Sequence, residues 1–264
     1  MRRGLARSRG EARDLLDEGL VVVDGKPVSK ASYPVTGSDA VTVRPDGPRW
    51  VGRGAHKLVA ALDEWGPQGL AVMGRRCVDV GASTGGFTQV LLARGAARVV
   101  AVDVGHHQLV PEVADDPRVD ERSGTTVRGL RADDLGGPAD LVVVDLSFIS
   151  LTLVMGDLAG LLRPGGDLVV LVKPQFEVGR GRLTRQGLVG DPGDRTRALE
   201  RVVAAVDEHG LHVHGIATSP IRGTSGNTEY LLWARSVPSD TMNPDQVADA
   251  VRATTTHPSS GGRR

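Results

Sequence analysis

The chain predicts an α/β protein, a mainly parallel seven-stranded sheet whose last strand runs antiparallel, preceded by a small α+β module. Three observations carry this reading. From residue 75 onward, short apolar runs alternate with helix-like stretches, as strand–helix–strand units require. The first run, Arg76 to Val80, passes through the dense turn Gly81-Ala82-Ser83-Thr84-Gly85-Gly86 into the helical pattern Phe87 to Arg94. The last two runs are joined only by Pro220 to Asn227, too short for a crossover helix, so they pair as an antiparallel hairpin.

In chain order, residues 1–48 form the small module. Ser8 caps a helix, with Glu11 three residues on completing a capping box. Ala12, Leu15 and Leu16 supply its apolar face, and Gly19 ends it. Leu20 to Val23 and Pro27-Val28 flank Asp24-Gly25, a hairpin signal, and Asp39 to Val43 adds another strand. Pro45, Gly47, Pro48 and Gly52 then interrupt structure around a linker at 49–54.

The large domain spans 55–240. Its first helix is opened by Arg53-Gly54-Ala55-His56-Lys57-Leu58 and runs to about Trp65. Strands are predicted at 76–80, 98–103, 118–122, 140–145, 167–173, 211–219 and 228–235. Helices are predicted near 86–94, 106–114, 150–162 and 194–209, with His106-His107 beginning the second of these. Arg163-Pro164-Gly165-Gly166 is expected to end the helix before the fifth strand. The tail, 241–264, is Thr/Ser/Gly-rich from Ala253 and predicts disorder at its end.

Composition removes several classes of function. The chain is 264 residues long, 40% hydrophobic and 24% charged, as in ordinary globular proteins. Formal net charge is zero, so affinity for a polyanion must come from local patches. One such patch is Arg2, Arg3, Arg7, Arg9 and Arg13 against the single acid Glu11. The lone cysteine, Cys77, sits in the first predicted strand as a buried, inert thiol, and the chain can form no internal disulfide. No N-terminal apolar segment or membrane-spanning run is present, and a cytoplasmic monomer is expected. Seven histidines and one cysteine show no ligand spacing, so no metal is expected. Of 32 basic residues only Lys26, Lys30, Lys57 and Lys173 are lysines. Lysine gives up its proton far more readily than arginine, so a lysine kept within an apolar motif calls for a chemical reason.

The glycine turn is the first candidate site. Open α/β sheets bind ligands beyond the carboxyl ends of their strands. Gly81, Ser83 and Gly86 occupy the three glycine positions of the dinucleotide fingerprint, so the middle glycine is missing. That weighs against NAD or FAD and leaves them open. Asp79 before the turn suits an ammonium, directly or through water, and the N–H groups of the loop suit a carboxylate. S-adenosylmethionine carries both. Asp103, 22 residues after Gly81, ends the second strand and suits ribose hydroxyls, in this ligand or in a dinucleotide. A tight turn with no ligand is the plainer alternative.

Asp145 and Lys173 end the fourth and fifth strands, where they face one crevice or close the sheet edge as a salt bridge. Glu229 opens the last strand. After Lys173 comes a long glycine-rich segment with Arg180, Arg182, Arg185, Arg195 and Arg197, which suits phosphate contacts or is a plain surface loop.

Two resemblances bring these residues together. Arg3 to Arg9, Ala12, Gly19, Val21, Val23, Asp24-Gly25 and Val28 make the module similar to the S4-type RNA-binding domain, shortened at its N-terminus because the family's opening helix is mostly absent. Residues 53–58, 79–88, 145–151, 172–179 and 226–231 resemble the FtsJ/RrmJ-like methyltransferases and, more closely, the TlyA family of ribosomal RNA 2'-O-methyltransferases, some of which carry the label hemolysin. The resemblance implies a Rossmann-like class I methyltransferase domain and S-adenosylmethionine as cofactor. It implies ribosomal RNA (16S, 23S or both) within ribosomal subunits as partner, and a 2'-O-methylated cytidine as product. Lys57, Asp145, Lys173 and Glu229 match the family's catalytic set. Asp79, Gly81, Ala82, Ser83, Thr84, Gly85, Gly86, Phe87 and Asp103 would hold the cofactor. Arg3, Arg7, Arg9, Arg13, Arg180 and Arg182 would hold RNA. Residues 121–134 depart from the family pattern near the expected adenine position. The competing readings are a non-catalytic ribosome-assembly factor, which would tolerate loss of Lys173, and a nicotinamide oxidoreductase, which would have no use for the lysine pair.

Overall fold

The computed structural model describes residues 3–6, 9–17, 20–28, 30–44, 50–238 and 241–256. The expected cap Ser8, the helix stop Gly19, Arg2 and Arg7, most of the Pro45–Gly52 segment and the end of the tail lie outside the described residues. Two compact units divide the chain, Met1–Arg53 and Gly54–Arg264.

The smaller unit carries helix α1 (Arg9–Asp17) and a three-stranded antiparallel sheet. Its strands are β1 (Val21–Val23), β2 (Lys26–Pro27) and β3 (Val41–Val43), with β1 in the centre. Asp24 and Gly25 both take positive φ (48° and 79°), as a two-residue hairpin turn demands. The Asp24 carboxylate accepts the Ala40 N–H at 2.7 Å and so pins β3 to that turn. Val22, Val23 and Val28 form the unit's small core.

In the larger unit, α2 (Ala55–Trp65) precedes β4 (Arg76–Val80), α3 (Gly86–Ala93), β5 (Arg98–Asp103), α4 (Pro111–Ala114), β6 (Val119–Ser123) and β7 (Ala139–Val144). There follow α5 (Met155–Gly160), β8 (Leu162–Val172), α6 (Pro174–Glu177), α7 (Pro192–Glu208), β9 (His212–Thr218), β10 (Tyr230–Arg235) and α8 (Pro244–Thr256). The sheet order is β6-β5-β4-β7-β8-β10-β9, parallel except for β10, which runs antiparallel to both neighbours. Chain order reverses between β4 and β7, the switch point beyond which open α/β sheets bind their ligands. The strands bury side chains on both faces, which is why they read as near-continuous apolar runs. On one face Val78, Val80, Val100, Val142, Val144, Leu168 and Val170 join Met155, Leu158, Leu199, Val202 and Val251 from α5, α7 and α8 in one core. On the other, Trp65 of α2 stacks on Trp233 of β10 at 5.9 Å between ring centroids.

Four expectations are corrected. His106 and His107 do not begin a helix. They lie in a bend, His107 has φ 51°, and only α4 is helical, starting at Pro111 in its first turn. The helix expected over 150–162 is broken into a 3-10 turn, Leu151–Leu153, and the short α5. Arg163-Pro164-Gly165-Gly166 lies inside β8, not after a helix. Leu162 already pairs with Ala139, and a register shift before Leu141 absorbs Pro164 and the positive φ of Gly165 (78°), so the strand starts five residues early. Finally, the tail is helical through α8. Thr255, which reads as disordered by composition, is fully buried and back-bonds its hydroxyl to the Val251 carbonyl at 2.7 Å.

Candidate active site

The glycine turn forms as a strand–turn–helix corner. Gly81 and Gly85 have φ of 88° and 99°. A Cβ on Gly81 would fall 2.5 Å from the Asp145 carbonyl oxygen, so only glycine lets the turn pass against the end of β7. Ser83 also takes positive φ (48°), and its N–H donates to Asp103 Oδ2 at 2.8 Å. Asp103 Oδ1 accepts from Gly105 N–H at 2.7 Å. Asp103 is thus fixed by two backbone amides, with lone pairs left for other donors.

The alternation of β4 turns Asp79 into the interior, where it has no exposed surface, and one oxygen accepts the Thr88 hydroxyl at 2.7 Å. Burial pushes its carboxyl up to about 7, opposed by the Thr88 hydrogen bond. Its other oxygen, Oδ1, is buried without a hydrogen-bond partner.

The structure brings Lys57, Asp145, Lys173 and Glu229 into one connected chain. Lys57 stands in the first turn of α2. Asp145 follows β7 directly, its N–H held by the Val80 carbonyl at 3.0 Å. Lys173 follows β8, where Pro174 fixes the preceding backbone as extended and starts α6 at its first position. Glu229 enters β10 against Gly223, where a Cβ would come 2.4 Å from Glu229 Oε1 and push the carboxylate aside. Glu229 Oε2 pairs with Lys57 Nζ at 2.7 Å, and Lys57 Nζ lies 3.7 Å from Asp145 Oδ2. Asp145 Oδ1 pairs with Lys173 Nζ at 2.6 Å, and Lys173 Nζ donates to Ser147 Oγ at 2.8 Å. Glu229 is 2% exposed, Lys57 7% and Lys173 8%. Two ammonium groups and two carboxylates balance to zero net charge, the condition under which buried ions are tolerated.

Lys173 and Glu229 line a cavity of about 670 Å³, together with Ser147, Phe148, Phe176 and Arg180. Among the described residues no three His, Cys, Asp or Glu side chains are placed to hold a metal ion. The arginine candidates fare unequally. Arg180 lines the cavity wall, whereas Arg182 pairs with Asp194 at 2.8 Å. Arg9 and Arg13 are exposed on α1. Arg3 spends its guanidinium on the Thr36 and Asp39 carbonyls at 2.7 and 2.5 Å, so it closes a loop of its own unit instead of standing free for phosphate.

Sequence reasoning passed over three residues. Phe148 is 91% exposed at the cavity rim, has φ 65° and lies 5.3 Å from the Phe176 ring. A bulky residue at positive φ is strained. An aromatic within D-L-S-F was the only signal available beforehand. Asn227, 4% exposed, clasps the arginine-rich segment. It accepts the Val189 N–H at 2.9 Å and donates to the Gly187 carbonyl at 3.0 Å. Glu177, buried at the end of α6, is the third.

The turn, the switch point and the buried lysine–carboxylate chain together define a methyltransferase of the Rossmann-like class. The profile of the FtsJ-like methyltransferases matches residues 50–236, and that of the S4 domain matches residues 2–41. The chain belongs to the FtsJ-like methyltransferase family and to its TlyA branch. It is 49% identical over 252 residues to the 16S/23S rRNA (cytidine-2'-O)-methyltransferase TlyA of Mycobacterium tuberculosis, covering 95% of this chain and 93% of the relative. It is 34% identical to Hemolysin A of Brachyspira hyodysenteriae, over 86% of this chain and 94% of that one. A solved structure from Streptococcus thermophilus, given the working label hemolysin, superposes with a TM-score of 0.75 at 35% identity, covering 97% of this chain and 92% of the other.

Proposed function

We propose that this enzyme transfers a methyl group from S-adenosylmethionine to the 2'-oxygen of a cytidine ribose in ribosomal RNA, acting in the cytoplasm as a single chain on ribosomal subunits. The observation that carries this reading is the unbroken chain Glu229–Lys57–Asp145–Lys173 beside the glycine turn. The names of the relatives point to the same substrate.

The residues present fit the cofactor. Gly81 and Gly85 let the turn pass tightly against Asp145 and against Leu109 and Val113, where a Cβ would clash. Asp103 keeps acceptor capacity for ribose hydroxyls, and the first-turn N–H groups of α3, at Gly86 and Phe87, supply donors for a carboxylate. When bound, the cofactor supplies an electrophilic methyl group on a sulfonium.

A ribose hydroxyl is a poor nucleophile and must lose its proton as it attacks. Lys173 takes that proton at Nζ. It must be neutral to do so. Asp145 and Ser147 aim Nζ, and Lys57, itself fixed by Glu229, places the ribose and steadies charge developing on its oxygen. Phe148 offers a stacking face for the nucleobase, as aromatic platforms do in RNA recognition. Arg180 meets the phosphate backbone, together with Arg9 and Arg13 of the smaller unit.

The test is methyl transfer from labelled S-adenosylmethionine to purified small and large ribosomal subunits, with modified positions mapped by resistance to alkaline cleavage. Label on a cytidine 2'-oxygen is expected. Label on a base, or none on either subunit despite cofactor binding, would sink the proposal.

A further inference from the structure

Glu177 is a buried carboxylate outside the lysine–carboxylate chain. It ends α6, is 7% exposed, and burial raises its carboxyl above the ordinary range. Its two oxygens reach back across 26 and 27 residues to a single target. Oε1 accepts the Leu151 N–H at 2.8 Å, and Oε2 accepts the Ser150 hydroxyl. Ser150 in turn accepts the Thr152 N–H and so caps the 3-10 turn Leu151–Leu153. Behind Glu177, its own carbonyl accepts from Arg201 of α7 at 3.0 Å, which fixes the anchor to the body of the domain.

The segment held this way carries the reacting geometry. Residues 146–150 run between two fixed points, the Asp145 N–H on the Val80 carbonyl and the Leu151 N–H on Glu177. Between them stand Ser147, which holds Lys173 Nζ, and Phe148, kept at positive φ with its ring out at the cavity rim. A strained conformation persists only when its surroundings over-determine it. Glu177 also joins the two segments whose rings meet, since Phe176 is its neighbour and Phe148 lies on the anchored loop.

We infer that Glu177 is a positioning residue for the methyl-transfer reaction, clamping loop 146–150 onto α6 so that Ser147 and Phe148 hold Lys173 and the target nucleoside in register. The role rests on the function proposed above, but the clamp itself can be read without activity.

The experiment compares the wild-type chain with Glu177→Ala, Glu177→Gln and Ser150→Ala, by hydrogen exchange and by methyl transfer to ribosomal subunits. Glu177→Ala should speed exchange in the peptide spanning 146–153 while β4 and α3 keep their protection. It should lower kcat by ~10- to 100-fold, the scale of a small misplacement in an active site. Cofactor Kd should stay within about twofold, because the turn at 81–86 is held independently. Glu177→Gln still offers an acceptor to the Leu151 N–H and should restore both readouts. Ser150→Ala removes one of the two contacts and should show the same pattern more weakly, which keeps the test decisive if Glu177→Ala fails to fold. Unchanged exchange at 146–153 in all variants overturns the inference. So does loss of protection spread evenly over the domain, or a Gln variant as impaired as the Ala variant. If the wild-type chain modifies no ribosomal RNA, the functional reading falls, and the exchange pattern alone decides the clamp.

Discussion

The two ends of the large sheet each bury a cluster of charge, and they are built from different cations. At the amino end, Asp167 has no exposed surface and is saturated by Arg75 Nη1 at 2.5 Å, Arg235 Nε at 3.1 Å and the Trp233 indole N–H at 2.8 Å. At the carboxyl end, Asp145 stands between Lys57 and Lys173 beside a cavity. The first cluster has no ionisable proton to exchange near neutrality, because a guanidinium stays charged. The second is made from two of the chain's four lysines, in a sequence that otherwise uses arginine. A cluster that only joins strands can be arginine throughout. One that accepts a proton cannot.

The largest effect expected from this contrast is at Lys173. Lys173→Ala should lower methyl transfer by on the order of 10³ in the molecules that stay folded, within the range for a lost general base, and should lower stability as well, since it unbalances the buried charges. At the opposite end the effect should reverse in kind. Asp167→Ala leaves the part-buried Arg75 and Arg235 and the buried Trp233 indole N–H without their acceptor and should lower unfolding free energy by about 1–3 kcal/mol. The molecules that remain folded should keep a near-normal kcat. Denaturant titration alongside initial rates separates the two behaviours, and a folded, inactive Asp167→Ala chain would break the contrast.

A smaller effect belongs to Phe148. Phe148→Ala should raise KM for the RNA substrate by about 10- to 100-fold, the loss of ~1–3 kcal/mol of base stacking, without weakening cofactor binding. The smallest is a pH effect at Asp79. Its carboxyl is raised in the folded chain, so the folded state binds the proton more tightly than the unfolded one. The stability that Asp79 contributes is therefore fully present below pH ~4, falls as pH rises, and is lost above about 7. Asp79→Asn should remove that slope and stabilise the chain at pH 8 by on the order of 1–3 kcal/mol, read from melting curves across pH.

These clusters were unequally visible in the sequence. Asp145 and Lys173 stood out because each interrupts an apolar run at its end, and Pro174 marks where β8 must stop. The alternation of strands and helices, and the short link before β10, were enough for the sheet and its antiparallel strand. What stayed hidden depends on long-range partners. Arg163 to Gly166 reads as a helix stop because proline and glycine break both kinds of element, and only pairing of Leu162 with Ala139 makes it strand. The end of α8 was masked by its threonines, whose hydroxyls are satisfied within the helix. Glu177 and Asn227 read as motif filler because their partners lie 26 and 38 residues away. Local patterns do not record such distances.

The central claim is that Lys173 is a lysine because it must give up its charge. Lys173→Arg tests it most directly, since arginine keeps the cation and can keep the pairing with Asp145 but does not deprotonate. With folding and cofactor binding measured in parallel, single-turnover methyl transfer to ribosomal subunits should be as low in Lys173→Arg as in Lys173→Ala. Transfer by the arginine variant within about tenfold of wild type, where removal of a general base costs 10²–10⁴, would contradict the account and leave Lys173 a purely electrostatic role.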